Sequence, residues 1–153
     1  MEGYAMTKHQ TVPEVVRNAW EAHALSLLTT VDRQLSAPLT HAISWVYAPS
    51  ERVVRLAIDA RSFLGAHLLP STSVNIAVYA GETLYVVYGK VTRVVALDHV
   101  PFAVHCVEID VDHVREAMYY GAKVSVLPAA EKTYDVRAAQ KLDDQVFASM
   151  RAV

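Results

Sequence analysis

Cysteine is nearly absent. Cys106 stands alone among 153 residues, so no disulfide can form within the chain, and a reducing compartment fits. Cationic clusters are missing too. Fourteen Lys and Arg against sixteen Asp and Glu leave a formal net charge of -2. That balance lacks the electrostatic footprint of a nucleic-acid binder and offers no lysine run for an anionic membrane surface. No apolar run reaches the roughly 18 residues of a bilayer span. Met1 to Gln10, with Glu2, Lys8 and His9, has no apolar signal core. The seven histidines show no HxxxH or HExxH spacing. His105 and Cys106 are adjacent and would point to opposite faces of a strand, a poor chelate. No metal site is expected, and no Ser-His-Asp order or paired-carboxylate pattern stands out. The composition therefore points to a soluble, cytoplasmic protein with neither nucleic acid nor membrane as partner.

Apolar material is abundant. Hydrophobic residues make up 53% and charged residues 20%, enough for a folded core. The length suits one domain, here taken as 1–153 with a core over about 13–111 and a helical extension over 112–153. Thr11-Val12-Pro13-Glu14 has the form of a capping box, followed by a helix to about His23 with Val15, Val16, Ala19 and Trp20 on one face. Strands are predicted over 24–31, 38–47, 53–58, 73–80, 83–96 and 102–111. Val74, Ile76 and Val78 alternate with Ser73, Asn75, Ala77 and Tyr79. Ala48-Pro49-Ser50-Glu51 is a turn signal, and Gly81-Glu82 is a hairpin signal. Gly89 inside a long strand marks a bulge or a corner. One short helix falls between the third and fourth strands. Asp112 can cap a second over 113–120 with Gly121 as its stop. Residues 122–127 read as extended, and a last helix covers about 136–150 with Ala139, Leu142, Val146 and Met150 on one side. Six antiparallel strands with few helices argue for a mainly β, closed or nearly closed barrel with peripheral α-helices, since closure removes exposed edges.

Three stretches sharpen this. "LLTTVDRQLSAPLTHAISWVY" has a polar strand end followed by a proline-led strand. "VVRLAIDARSFLGAHLLPSTSVNIAVY" is strand, short helix, strand. "YVVYGKVTRVV" places a glycine before a basic residue. In this order they resemble the pyridoxamine 5'-phosphate oxidase-like family of flavin mononucleotide (FMN) binding split barrels, over roughly residues 13 to 111. The resemblance implies a six-stranded split barrel, a homodimer with FMN in the groove between subunits, and flavin-dependent oxidoreductase activity on a small molecule. It places the second strand, with His41, Ser44 and Trp45, at the flavin ring. The family's usual hydroxyl position at the strand end is Ile58 here, next to the ring. Ser62 matches the helix-start serine, and Phe63 and Leu64 fall where basic residues are usual. A second reading of the same barrel is a non-enzymatic binding or stress-related module that has lost its flavin, with haem as a lesser option.

The residues themselves leave alternatives open. The amides of Phe63, Leu64 and Gly65 at a helix start, with Arg61, Ser62 and His67, form a candidate phosphate cradle. Ser62 equally suits an ordinary cap, with Arg61 solvated and Phe63 and Leu64 in the core. Trp45 is either a flat wall for the ring or barrel filling, and His41 either a ring contact or a rim residue. Lys90, after Gly89, either reaches a ligand phosphate or is a solvated strand residue, and Arg93 is read the same way. Tyr79, Tyr85 and Tyr88 either line a subunit groove or are ordinary barrel residues.

Overall fold

The computed structural model describes residues 7–153; the first six residues of the Met1–Gln10 segment lie outside them. Eight strands and two helices make up the described chain: β1 (Lys8–His9), α1 (Glu14–Glu21), β2 (Ser26–Asp32), β3 (Ala37–Ile43), β4 (Val46–Ser50), β5 (Val53–Asp59), β6 (Ser73–Ala80), β7 (Thr83–Ala96), β8 (Val104–Glu116) and α2 (Val136–Arg151). All pairings are antiparallel, in the order β3-β2-β6-β7-β8-β5-β4, with β1 added to β8. The sheet is mainly β as expected. It differs from a closed six-stranded barrel in being open, with β3 and β4 as its two edges.

Of the two strands beyond the six expected, β1 is the short Lys8–His9 segment, and β4 arises at Ser44-Trp45, where the predicted 38–47 segment breaks into β3 and β4. One half pairs with β2 and the other with β5. A chain that changes partner must turn, and the two edges of the sheet are thereby joined through two residues. The sheet wraps one core, in which Leu28, Val54, Leu56, Ile76, Val87, Val107, Ile109 and Val114 are buried together with Val16 and Trp20 of α1. Complete burial of such side chains stabilises by roughly 1.5–3 kcal/mol each. The Trp20 indole donates to Ser26 Oγ at 3.0 Å, so the plug brings its polar atom to a partner. A second, smaller cluster lies under α2, where Val146, Phe147 and Met150 meet Tyr47, Ala57, Leu97, Val104 and Cys106.

Helix α1 begins without a capping box. Pro13 is its N-cap, with no side-chain cap bond, and its carbonyl accepts from Val16 and Arg17 at 3.0 and 3.1 Å. Proline fixes φ near the helix-entry value, which leaves Thr11 too far upstream. The helix predicted over 113–120 is absent. Val104–Glu116 continues as strand, because Val111 and Val114 are buried core residues and β7 is long enough to pair with all of it. Asp112 is the extra residue of a bulge, since Tyr88 faces His113 while Gly89 faces Val111. Gly89 permits this register: a Cβ there would run into the Asp110 carbonyl and the Ile109 side chain. Residues 122–127 form no strand; the Val124 amide reaches back to Glu82 O at 2.8 Å, and Lys123 Nζ pairs with the Glu82 carboxylate at 3.0 Å. The predicted last helix is present, capped by Asp135, which accepts from Ala138 N at 2.9 Å.

Arg55 and Tyr47 tie α2 to the sheet. Arg55 Nη1 and the Tyr47 hydroxyl both donate to the Met150 carbonyl at 3.2 Å. Arg55 also pairs with Glu108 across β5 and β8 at 2.9 Å. Burial alone would raise the Glu108 carboxyl, but Arg93 and Arg55 outweigh it and hold the group below its ordinary value.

Candidate ligand-binding cleft

The break between β3 and β4 opens a cleft of about 300 Å3 at the seam of the sheet. His41, Ala42 and Ile43 enter from the end of β3, Ser44 and Trp45 from the connection, and Ala57, Ile58 and Asp59 from the end of β5. Ser62 and Leu64 close one side, and Lys132 reaches in from the segment before α2. Of the sequence-predicted positions, His41, Ser44, Ile58 and Ser62 line this one cleft. Ile58 and Leu64 are buried, so the cleft has an apolar floor beside its polar rim. Among the described residues the His41 and Ser44 side chains have no intramolecular hydrogen bond.

The expected short helix is a single 3-10 turn, Gly65–His67. Ser62 Oγ accepts from the Gly65 amide at 3.0 Å and donates to the Asp59 carbonyl at 2.7 Å. Its hydroxyl proton is thus used inside the loop. Arg61 turns onto Asp59, with the amide at 2.9 Å and two guanidinium contacts at 3.2 Å. Arg61 beside it holds the Asp59 carboxyl below the usual range. The Arg61 side chain is 71% exposed and does not line the cleft. Leu64 enters the core, while Phe63 stays 57% exposed and its ring lies 4.6 Å from that of His67. His67 Nδ1 faces the Phe63 carbonyl at 2.9 Å, and Nε2 lies 3.6 Å from Asp32. It belongs to the β2–β3 hairpin side, where Asp32 also accepts from the Gln34 and Leu35 amides. Lys90 sits on β7 between Ser73 and Asp110, away from the cleft lining.

Two residues that sequence reasoning missed complete the site. Asp143 of α2, 6% exposed, accepts from the Trp45 indole at 2.8 Å. Lys132 contacts both oxygens of the same carboxylate, at 3.1 and 3.0 Å, and His23 Nδ1 approaches it to 3.8 Å. Trp45 is therefore fixed by its nitrogen, and its half-buried ring borders both the cleft and the α2 cluster. The predicted helix face included Leu142 and Val146 but gave no reason to single out the aspartate between them. A second cavity of about 480 Å3 adjoins the cleft through Ser44 and Lys132, bounded by Ala22–Leu25, Pro128–Glu131 and Asp143.

A larger cavity of about 570 Å3 lies between the end of β7 and α2, and none of the predicted residues borders it. Cys106 is buried in the cluster beside it, and burial pushes its thiol up to about 11, which leaves it un-ionised and unreactive near neutrality.

The fold has relatives among solved structures. An FMN-binding protein from Syntrophomonas wolfei superposes with a TM-score of 0.57 at 15% identity, over 69% of this chain and 86% of that one. This chain has the split-barrel fold. A pyridoxamine 5'-phosphate oxidase-like protein from Lactobacillus delbrueckii matches the split barrel with a TM-score of 0.56 at 13% identity, over 71% of this chain and 97% of the other. An F420 reductase matches it with a TM-score of 0.54 at 15% identity, over 67% and 98% of the two chains. No protein-family model matches the sequence, and no curated protein resembles it significantly. Among the described residues no helix is long and apolar enough to cross a membrane.

Proposed function

We propose that this split barrel binds FMN in the seam cleft and works as a small flavin-dependent oxidoreductase. The observation that supports it is convergence. His41 and Ser44 from one stretch and Ile58 and Ser62 from another border one cleft together with Trp45. Flat cofactors need an apolar wall with a few polar groups at one edge. Here the Trp45 ring, locked by its bond to Asp143, offers the wall, and Ile58 and Leu64 the floor. The unengaged Ser44 hydroxyl and His41 imidazole supply the edge. These residues fit the ring system. Bound flavin would supply the electron transfer itself, and the chain would contribute orientation and exclusion of water. Fold-level likeness to flavin-associated proteins supports the same reading by analogy only.

A homodimer belongs to this proposal. Leu27 and Val31 on β2 and Tyr79 on β6 are 43%, 47% and 38% exposed. They lie on the outward face of adjacent strands, where a second copy would cover them. Light scattering in solution tests this, with a monomer mass counting against it.

The alternative is a binding module without flavin. It is favoured by the loop after β5, where Ser62 and Arg61 bond to Asp59 and Gly65 rather than stand open. The deciding experiment is a titration of the purified protein with FMN. Flavin binding predicts quenched flavin fluorescence and a yellow complex absorbing near about 450 nm. Loss of a single neutral hydrogen bond in Ser44→Ala should weaken it by about 1 kcal/mol, some fivefold. Failure of the wild type to take up FMN would leave the second reading.

A further inference from the structure

The cleft contains a placed cation that the strand motifs do not supply. We propose that Lys132, carried in from the segment before α2, is the anion-binding residue of this site and holds the charged end of the ligand. With FMN as ligand, a point that rests on the reading above, that end is the phosphate.

Four observations carry this. First, Lys132 borders both the 300 Å3 cleft and the 480 Å3 cavity, with Ser44 as their other common residue. Its side chain thus stands at the junction of the two spaces. A ligand with a flat part by Trp45 and an extended tail through the junction would pass it. Second, no other lysine or arginine lines either space among the described residues. Arg61 is folded onto Asp59, and the Ser62 hydroxyl proton is committed to the Asp59 carbonyl. An anionic group in this cleft has one full cation available.

Third, Lys132 is positioned rather than free. Asp143 grips it from a buried place on α2, so less side-chain freedom is lost when a ligand binds. Fourth, that grip leaves capacity. An ammonium carries three donors, and both Lys132 contacts go to a single carboxylate. Asp143 Oδ1 also accepts from the Trp45 indole at 2.8 Å, so Trp45 and Lys132 share that oxygen. Because the Lys132–Asp143 pair is close to neutral overall, Lys132 acts as a short-range donor and not as a long-range attractor. Discrimination should therefore appear between ligands that differ only in the anionic group.

Riboflavin and FMN differ in that one group. The test compares both, with inorganic pyrophosphate as a probe that needs no flavin ring, in wild type, Lys132→Gln and Lys132→Arg. Flavin fluorescence reports the first two, and intrinsic tryptophan emission reports pyrophosphate, since Trp45 shares Asp143 with Lys132. Lysine 132 is 40% exposed, so its replacement should not unfold the chain, and a melting curve of each variant checks that. We expect Lys132→Gln to weaken FMN about ten- to a hundredfold, the range of a charge-assisted hydrogen bond. Riboflavin should be unaffected, and Lys132→Arg should restore much of the preference. If FMN binds the wild type and Lys132→Gln lowers FMN and riboflavin alike, or neither, the anion role falls and the flavin reading stands. If neither flavin binds but pyrophosphate does so in a Lys132-dependent way, the flavin reading falls and the anion site stands. If none of the three binds, both fall.

Discussion

Residues 59–64 line the seam cleft through Asp59, Ser62 and Leu64, directly behind a strand, whereas from residues 128–143 only Lys132 lines it, with Pro128–Glu131 and Asp143 bounding the adjoining cavity. In the first stretch each polar group finds a partner within three residues: Arg61 takes Asp59, and Ser62 takes Asp59 O and the Gly65 amide. In the second, Lys132 and Asp143 meet across eleven positions, and Asp143 reaches Trp45 across ninety-eight. Local partners close on themselves because little chain entropy opposes them. Partners assembled from afar can be left facing a space, since the elements that carry them are held by other contacts. In this molecule the motif-bearing loop is self-contained, and the distant arm furnishes the cation.

The sharpest way to break that contrast is Asp143→Ala. It leaves the Trp45 indole without its acceptor and releases Lys132. The expected cost is about 2–3 kcal/mol of stability, read from urea denaturation and accompanied by a shift in Trp45 emission. A cost below about 0.5 kcal/mol would mean that the arm is an appendage. Next is the other anchor of α2. Glu108 has a depressed carboxyl, so its stabilising contribution is complete above the ordinary glutamate range and is lost as pH falls through the lowered value. Glu108→Gln should cost about 1–2 kcal/mol near neutrality and flatten the acid limb of a series of thermal melts from about pH 7 to about pH 3. An unchanged acid limb would remove the Arg55–Glu108 pair from the helix attachment. Ser62→Ala should cost about 1 kcal/mol as a lost loop cap and leave ligand affinity within twofold. A loss of affinity with unchanged stability would reverse the assignment of the two regions. Smallest of all is Arg61→Ala, where the exposed pair with Asp59 should yield no measurable shift of either melting temperature or FMN affinity.

Alternation and turn chemistry made most of the sheet legible. Ser73–Ala80 and the Gly81 hairpin stand where the pattern put them, and Gly89, read as a bulge or a corner, lies at the register shift opposite Asp112. Segment 112–120 was among those misread, because Asp112 before a mixed run and Gly121 after it imitate helix punctuation. What decides the matter is pairing with β7 and burial of Val111 and Val114, neither of which is a local property. The same holds at the cleft. His41, Ser44, Ile58 and Ser62 sit on strands and a loop whose order could be read. Lys132 follows Pro128, Ala129, Ala130 and Glu131, a stretch with no periodicity, and nothing in its spacing announces Asp143.

The cavity that adjoins the seam cleft is walled on one side by Pro128–Lys132 and Asp143, which lie beyond the eight described strands. On a ribosome the barrel can pair every strand before that wall has emerged. On the proposed reading, the ligand could be held only once the segment after β8, with Lys132, has followed the barrel.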